Sequence, residues 1–399
     1  MSDRRLDELL RSGELPEEEN ARARAWNVVR AAYAEREPVA WPRKHARPLL
    51  AAAAAAALVA AALTPPGMAV FKHIRNAVGT ERVKRANPAL STLPGGGALL
   101  VTSSSGTWVV YPGGARRHFG PYTGASFSPH SLFIAGTHGH ELATFEPTRS
   151  HPIHWIVSSR RIVSRPVWGP DGYRIAYFAG RSLRVVVGDG SKDRSLVPVA
   201  SLVTPAWRPL PVREPAGSRH VLAYVGARGG VLVVDTDTHQ RLSRAPAGDG
   251  VRELAWSDDG RRLLVVGRHG LRVYSPEGRP VAALPTTGAT LAAAFAPGSH
   301  ELAFVVGPAA GRAQSVVLRA DADRIRPVQV FRGGGQFSDL AWSPDGDWLL
   351  IAWKSADQWL FVRSARVRKL VAVSAVSRQF PGGAGSPTFP RIQGWCCSS

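Results

Sequence analysis

Histidine is the residue type in this chain whose spacing first suggests chemistry. Six histidines fall within one stretch: His118, His130, His138, His140, His151 and His154. His138 and His140 are two residues apart, so on a strand they would share one face and could chelate a metal ion. The same spacing is common in exposed hairpins, and a metal site also needs acidic or thiol partners that the sequence does not place. We therefore assign no metal ligand and expect no cofactor.

Two pairs of residues, one acidic and one of cysteines, also have both a functional and a structural interpretation. Asp235 and Asp237, in the segment VDTDTHQ, could bind calcium, or they could belong to the polar turn that follows a strand. The only cysteines are the neighbours Cys396 and Cys397, which are too few for a zinc site or a disulfide framework. They could bond to each other, link two chains, or remain thiols at a strand end. We expect thiols.

The familiar catalytic motifs are missing from the sequence. It contains no Gly-x-Ser-x-Gly elbow, no phosphate-binding loop, no Gly-x-Gly-x-x-Gly ahead of a helix and no His-Glu-x-x-His. We therefore predict that the protein is not an enzyme and has no catalytic residues. Carboxylates that converge from distant segments would escape this argument.

A repeated unit predicts the elements that would position any site. Each copy is an apolar strand ending in an aromatic residue, a tight polar turn such as Ser-Pro-Asp-Gly, and a second apolar strand. The copies are ASFSPHSLFIAG, PVWGPDGYRIAYFAG, PAWRP with HVLAYVG, LAWSDDGRRLLVVG, AAFAPGSHELAFVVG and LAWSPDGDWLLIAW. Their aromatic residues are about 40 to 50 positions apart, and four short strands with this period are typical of a β-propeller blade.

The recurring aromatic residues are Phe127, Trp168, Trp207, Trp256, Phe295 and Trp342. Because the position recurs, we expect Trp256 and Trp342 to pack between blades rather than to bind a ligand. The inner strands of most blades carry no acid, as YTGASF, SRPVW and ATLAAAF illustrate.

The two ends of the repeat region complement each other. The last full unit has four predicted strands: Leu340–Trp342, Trp348–Trp353, Gln358–Arg363 and Lys369–Val376. After it, Gly394-Trp395-Cys396-Cys397 aligns with Ala341-Trp342-Ser343-Pro344, as an inner strand with nothing behind it. Three outer strands without an inner one come first: Ala98–Thr102, Thr107–Tyr111 and Arg116–Phe119. We therefore predict an all-β, seven-bladed propeller with one blade built from both ends, and six blades with a stray strand as the alternative.

This repeat resembles that of the TolB-type propellers and the broader WD-repeat-like families. The resemblance rests on (apolar)-Ala-Trp-Ser-Pro-Asp-Gly-x-x-Leu-Leu and covers roughly residues 98–397. No blade carries the Gly-His pair with a terminal Trp-Asp of the eukaryotic WD repeat, so that family's hydrogen-bonded tetrad is not expected here. The TolB resemblance implies the fold, an extracytoplasmic setting and a binding role, and it implies no functional residue.

The region before the propeller is predicted to have three parts. Residues 1–47 form a cytoplasmic tail with a short helix at Leu6–Arg11 and a longer one from Pro16. Residues 48–64 form a transmembrane helix, because Pro48 to Phe71 is uncharged. A soluble alanine-rich helix and a signal peptide are the alternatives for this segment. Residues 65–97 are a linker. Basic residues lie on both sides of the span, and the group from Arg43 to Arg47 favours a cytoplasmic N-terminus.

The net charge of +20 resembles that of nucleic-acid-binding proteins. However, the arginines are scattered through every blade, and the abundance of Arg, Ala, Gly and Pro indicates a GC-rich genome. A polyanion partner therefore stays an alternative.

These observations predict a single-pass bacterial cell-envelope protein with its propeller outside. We predict a binding or scaffold role, with a protein or envelope ligand on the propeller face and a cytoplasmic partner for the tail. The alternatives are a transmembrane regulator with an anti-sigma-like layout, whose propeller senses and whose tail signals, and an enzyme with a site at the channel mouth.

Overall fold

The computed structural model describes residues 90–147, 153–209, 220–248, 250–308, 314–363, 370–381 and 387–397. These residues form seven four-stranded antiparallel sheets, which are the blades of a propeller. The first three blades contain β1 (Ala98–Ser103), β2 (Gly106–Val110), β3 (Arg116–His118), β4 (Thr123–Phe127), β5 (Ile134–His138), β6 (Glu141–Phe145), β7 (Ile153–Ser158), β8 (Val163–Trp168), β9 (Arg174–Ala179), β10 (Ser182–Val187) and β11 (Arg194–Pro198).

The remaining strands continue the same order. Blades 4 and 5 contain β12 (Ala206–Trp207), β13 (Val221–Val225), β14 (Val231–Asp235), β15 (Arg241–Ala245), β16 (Glu253–Trp256), β17 (Leu263–Gly267), β18 (Gly270–Tyr274) and β19 (Pro280–Pro285). Blades 6 and 7 and the closing strand contain β20 (Thr290–Phe295), β21 (Glu301–Val306), β22 (Gln314–Asp321), β23 (Val328–Gly334), β24 (Asp339–Trp342), β25 (Trp348–Trp353), β26 (Gln358–Arg363), β27 (Leu370–Ser374) and β28 (Arg391–Cys396).

The described part of the chain contains no α-helix, only three single-turn 3₁₀ segments: Pro129–Ser131, Lys354–Ala356 and Ser377–Gln379. Within these residues no helix has the length and apolar character needed to cross a membrane. The predicted tail (1–47), the predicted transmembrane helix (48–64) and most of the predicted linker lie outside the described residues. The end of that linker packs on the propeller, where Leu90 and Leu93 are buried.

The polar turn of the repeat fixes the hairpin between the inner strand and its neighbour. In blade 7 the Gly346 N–H donates to the carbonyl of Ser343 at 2.9 Å, and Gly346 has a φ of +72°, which glycine adopts without strain. The Ser343 hydroxyl oxygen accepts the Trp348 N–H at 2.9 Å. Blade 5 repeats both bonds through Ser257 and Gly260. The predicted turn chemistry therefore sets the strand register.

The ring is closed by the strand that comes last among the described elements. β28 pairs antiparallel with β1, with Trp395 opposite Leu99 and Cys396 opposite Ala98. The Trp395 indole N–H also donates to the Gly96 carbonyl at 2.9 Å. The prediction of a seventh blade shared by both ends is confirmed, and the six-blade alternative is wrong. The edge of β1 that would otherwise be open for pairing with another chain is covered by β28.

Seven apolar clusters, one between each pair of neighbouring blades, make up the core. Trp256 and Trp342 are 7% and 5% exposed, as expected for packing residues. Each indole N–H donates at 3.2 Å to the residue before the aromatic position of the preceding blade: Trp256 to Ala206 and Trp342 to Ala294. Trp207 makes the same bond to Val167. In these three blades the tryptophan therefore satisfies its polar atom while it fills the gap between blades, whereas the Trp168 indole N–H is buried without a partner among the described residues.

The propeller has two faces that can be defined by strand direction. In each blade the strands alternate in direction from the innermost strand outward, and the innermost strands line the central channel. We call the side where the inner strands begin the entrance face. It also carries the turns between the second and third strands of each blade. The side where the inner strands end is the exit face, which carries the Ser-Pro-Asp-Gly turns and the turns before each outermost strand.

Candidate functional site

The entrance ends of the inner strands differ from blade to blade. The residue three positions before the repeated aromatic is, from blade 2 to blade 7 and then blade 1, Gly124, Arg165, Thr204, Glu253, Ala292, Asp339 and Ile392. At the exit end the corresponding position is always Trp or Phe. A position that varies in polarity and charge is not explained by blade packing. The charged members therefore mark the channel entrance as the candidate site.

Glu253 projects from β16 toward the next inner strand. Its Oε2 accepts the Ala293 N–H of β20 at 3.3 Å. Burial raises the pKa of the Glu253 carboxyl, the Ala293 N–H and the Arg391 charge lower it, and the negative charge of Asp339 raises it again, to about 7. The residue is still partly accessible along the channel, although protein surrounds it. Near neutral pH this carboxyl can therefore hold or release a proton.

Asp339 is the second acid of the channel and begins the inner strand of blade 7. The residue is 7% exposed, and burial raises the pKa of its carboxyl. Its Oδ1 lies 3.5 Å from Nη2 of Arg391 on the closing strand. Its Oδ2 is buried and has no hydrogen-bond partner among the described residues. A buried oxygen without a partner is costly, so a donor from a ligand would improve its environment.

Two arginines stand with these acids at the channel mouth. The side chain of Arg391 is 75% exposed. Arg165 has a φ of +53°, and its Nη1–H donates to Oγ1 of Thr204 in the next blade at 3.1 Å. Burial and the charge of Arg391 lower the pKa of Arg165. The entrance therefore combines two carboxyl groups in the channel wall with two guanidinium groups around them.

The rest of the entrance face is rich in exposed arginine: Arg160, Arg161, Arg181, Arg228, Arg252, Arg268 and Arg378. None of these forms an ion pair with another described residue. Among the described residues, Arg391–Asp339 is the one ion pair on this face; the others lie on the exit face or the outer rim. The entrance face therefore has positive charge that its own described carboxylates do not neutralise.

Several ion pairs on the exit face link neighbouring blades. His300, at the start of the second strand of blade 6, lies 3.0 Å from Oδ2 of Asp323 and 2.9 Å from Oδ2 of Asp259 in blade 5. Arg262 of blade 5 pairs with the other oxygen of Asp323. Burial alone would raise the pKa of Asp259, but hydrogen bonds from Ser257, Arg261 and His300 lower it to about 2.

The same network recurs at the equivalent positions of blades 3 and 4. His220 bridges Asp171 and Asp237, and Arg174 bonds to both aspartates. A network that repeats with the fold is explained by blade-to-blade contact. These groups therefore link blade 3 to blade 4 and blade 5 to blade 6.

The candidate residues named from the sequence do not converge. The His118 ring lies 4.6 Å from the Trp108 ring, and its Nε2 is 2.8 Å from the Ser105 carbonyl oxygen. His138 ends β5 and His140 lies in the turn after it, both exposed. His151 and the side chains of His130 and His154 lie outside what the structure describes. Across the described ranges, no group of three or more His, Cys, Asp or Glu residues could hold a metal ion.

Asp235 and Asp237 have structural roles. Asp235 Oδ1 accepts the N–H groups of Asp237 and Thr238 at 2.8 and 3.3 Å, which is the turn alternative. The expectation of two thiols at the strand end is wrong, because Cys396 and Cys397 are joined by a disulfide. Neighbouring positions at the end of β28 bring the two sulfurs within bonding reach.

Sequence reasoning missed the two acids of the channel because most inner strands, such as YTGASF, SRPVW and ATLAAAF, carry no acid. Glu253 and Asp339 lie in ELAW and DLAW, the same position relative to the repeated tryptophan. Comparing that position across all seven blades would have identified them. Arg391, which precedes the aligned aromatic Trp395 by four positions, would have needed the structure.

These features define the class: a seven-bladed β-propeller with a charged channel entrance. The sequence matches no protein-family profile and no curated protein. Among solved structures, "KlHsv2 with loop 6CD replaced by a Gly-Ser linker" is 12% identical, with a TM-score of 0.51 over 72% of this chain and 94% of that chain. A chain of "Crystal Structure of Mitotic Checkpoint Complex" is 16% identical, with a TM-score of 0.50 over 74% of this chain and 84% of that chain.

A third similar structure is "Kuenenia stuttgartiensis Hydrazine Synthase", which is 17% identical with a TM-score of 0.39 over 52% of this chain and 65% of that chain. At these identities the first two structures support the fold alone, and the third carries no argument. This chain's own residues therefore provide the evidence for its function.

Proposed function

We propose that this protein is a non-catalytic binding scaffold whose propeller engages a protein partner through the entrance face. The observation that carries the proposal is the contrast between faces. The exit face repeats its turns and links neighbouring blades through ion pairs, whereas the entrance face breaks the repeat and has one ion pair among the described residues. Positive charges that no described carboxylate pairs suit a complementary partner surface.

A capture experiment tests this proposal. The full-length protein is immobilised beside Arg165→Glu/Arg391→Glu, which alters the channel mouth, and Arg261→Glu/Arg324→Glu, which alters exposed arginines on the exit face. Proteins retained from membranes of the source cell are compared by quantitative mass spectrometry. We expect a partner retained by the full-length protein and the exit-face variant and lost from the channel-mouth variant. If retention is the same for all three proteins, the entrance face is not the binding surface.

For the location, we propose the cell envelope, with residues 48–64 as a single membrane anchor, residues 1–47 in the cytoplasm and the propeller outside. The uncharged segment and the TolB-type resemblance support this proposal. Protease added to intact spheroplasts is expected to digest the propeller and spare the tail. A protected propeller would reverse the topology, and release by carbonate wash would exclude the anchor.

A second candidate function rests on the carboxyl pair of the channel. A glutamate with a pKa of about 7, raised in part by the charge of an aspartate whose own pKa is raised, is the kind of arrangement that serves general acid–base chemistry. Hydrolysis of a panel of glycosides and peptides by the full-length protein and Glu253→Gln tests it. An activity lost from Glu253→Gln, with the melting curve retained, would make the protein an enzyme; a panel without turnover argues for the scaffold.

A further inference from the structure

We infer that the entrance edge of blade 3 binds an acidic protein segment that also carries apolar side chains. The inference rests on the proposed function, because it names the chemistry of the partner that the entrance face engages. The site, which we call the blade 3 patch, consists of Arg160, Arg161, Ile162, Arg165, Arg181 and Leu202.

The blade 3 patch is continuous across three loops. Gly180, in the turn between β9 and β10, donates its N–H to the Ile162 carbonyl at 2.8 Å, and the Arg161 side chain lies against Gly180. The next residue of that turn, Arg181, donates through Nε to the Val199 carbonyl at 3.3 Å. These bonds join the loops on both sides of blade 3 through one turn.

The patch combines charge with exposed apolar surface. Ile162 is 66% exposed and Leu202 is 40% exposed. They lie in the two loops that flank blade 3, with the Arg181 turn between them. The other large exposed apolar residues among those described, Leu132, Tyr173 and Val328, belong to the exit face. A partner that covered the blade 3 patch would remove apolar surface from water and meet cations in the same contact.

Two of the four arginines of the patch, Arg165 and Arg181, are held in place by side-chain hydrogen bonds. Arg165 is fixed by its bond to Thr204, and Arg181 donates to the carbonyls of both Val199 and Ala200. A guanidinium held in this way loses little side-chain freedom when it binds, and its planar donors match a carboxylate. A lipid surface attracts positive side chains by charge alone and does not require guanidinium groups held in a fixed geometry. Fixed donors beside two apolar residues therefore favour Asp and Glu side chains interleaved with apolar ones.

Fluorescence polarisation with the full-length protein tests the inference. The probe is a fluorescein-labelled synthetic peptide in which pairs of glutamates alternate with single leucines. A second peptide has serine in place of leucine. The patch variant is Arg160→Glu/Arg161→Glu/Arg165→Glu/Arg181→Glu. Its matched control reverses four exposed exit-face arginines: Arg241, Arg279, Arg324 and Arg326.

We expect the patch variant to bind the leucine peptide about 100-fold more weakly, and the control to bind it within about threefold of wild type. Ile162→Ser/Leu202→Ser should weaken binding of the leucine peptide about tenfold and leave the serine peptide unchanged, which isolates the apolar contact as a double-mutant cycle. Equal losses in the patch variant and the control would reduce the effect to overall charge and overturn the inference.

The alternative occupants are tested in the same series. Vesicles of phosphatidylglycerol and a single-stranded oligonucleotide replace the peptide. If either binds through the patch arginines and the leucine peptide does not, the inference is overturned in favour of a membrane or a nucleic acid. Capture of a partner through the entrance face would still support the scaffold function in that case, so failure of the inference is distinguishable from failure of the proposed function.

Discussion

The two ends of the inner strands follow different rules. At the exit end, the aromatic residue and the polar turn recur from blade to blade, and the histidine–aspartate network is found at two blade pairs. At the entrance end, the equivalent position is occupied by Arg165, Glu253 and Asp339 in three blades and by uncharged residues in the others. The residues that repeat in every blade are those that the fold requires. Positions that do not repeat therefore mark the surface where another role, such as binding, can be selected.

Electrostatics divides the molecule in the same way. Exit-face carboxylates are held ionised by histidine and arginine, and the pKa of Asp259 is lowered to about 2. Entrance acids are driven in the opposite direction, and the pKa of Glu253 is raised to about 7. The exit face therefore uses ion pairs to link blades. At the entrance, a bound ligand could change the protonation of the channel acids.

The largest effect on stability is expected when two residues of β24 are compared. Trp342→Ala is expected to cost about 3–5 kcal/mol of unfolding free energy, because a buried indole and its interblade hydrogen bond are lost. Asp339→Asn, three residues away on β24, is expected to change it by about 1 kcal/mol or less. Urea denaturation of both variants measures the difference. Equal costs at the two ends would contradict the separation of structural and functional roles.

The exit-face network should show a pH signature. Burial alone would lower the pKa of His300, but hydrogen bonds and the charges of Asp323 and Asp259 raise it above the ordinary 6.5. The stabilisation is therefore complete below pH 6.5 and is lost as the pH rises through the folded-state pKa. His300→Gln should cost about 1 kcal/mol at pH 5.5, after allowance for solvent screening, and less at pH 9.

The control for that measurement is His269→Gln, an exposed histidine on the entrance face. Its melting temperature is expected to follow wild type at both pH values. A cost for His300→Gln that does not change with pH would assign the residue a packing role only.

Glu253 should show the opposite sign. The folded state binds its proton more tightly than the unfolded chain, since the pKa rises from 4.5 to about 7. Wild-type stability therefore falls as the pH increases from 4.5 to above 7. Glu253→Gln keeps an acceptor for Ala293 without the charge, so it should be more stable than wild type by about 1 kcal/mol at pH 8, and the gain should disappear at pH 4.5. A gain that persists at low pH would contradict the buried-charge explanation.

The smallest effect on stability is expected for the patch variant, and it tests whether the entrance arginines contribute to the fold. The patch variant that reverses Arg160, Arg161, Arg165 and Arg181 loses only exposed or partly buried hydrogen bonds and should leave the unfolding free energy within about 1 kcal/mol of wild type. Arg174→Glu, which removes bonds to Asp171 and Asp237 on the exit face, should lower it by more. Differential scanning calorimetry of the two variants checks this order, and its reversal would give the entrance arginines a structural role.

Much of the fold could be predicted because its determinants are local. The alternation of apolar residues and the Ser-Pro-Asp-Gly turns placed β25 and β26 at their observed bounds, and the alignment of Trp395 with Trp342 predicted the closing strand. The site could not be predicted in this way. Glu253, Asp339 and Arg391 come from blades 5, 7 and 1, and only the geometry of the closed ring brings them together. The disulfide was missed because both redox states fit the same two residues.

The closing strand has a consequence for how the molecule is made. Trp395 and its acceptor Gly96 are 299 residues apart, so at the usual rate of translation β1 leaves the ribosome about 15 to 60 s before its partner. Until then blade 1 keeps an open sheet edge, the feature most prone to wrong pairing. A chain that stops before β28 cannot close the ring, so the edge of β1 stays exposed. Proteases and chaperones could recognise this exposed edge and so distinguish the incomplete chain from the finished protein.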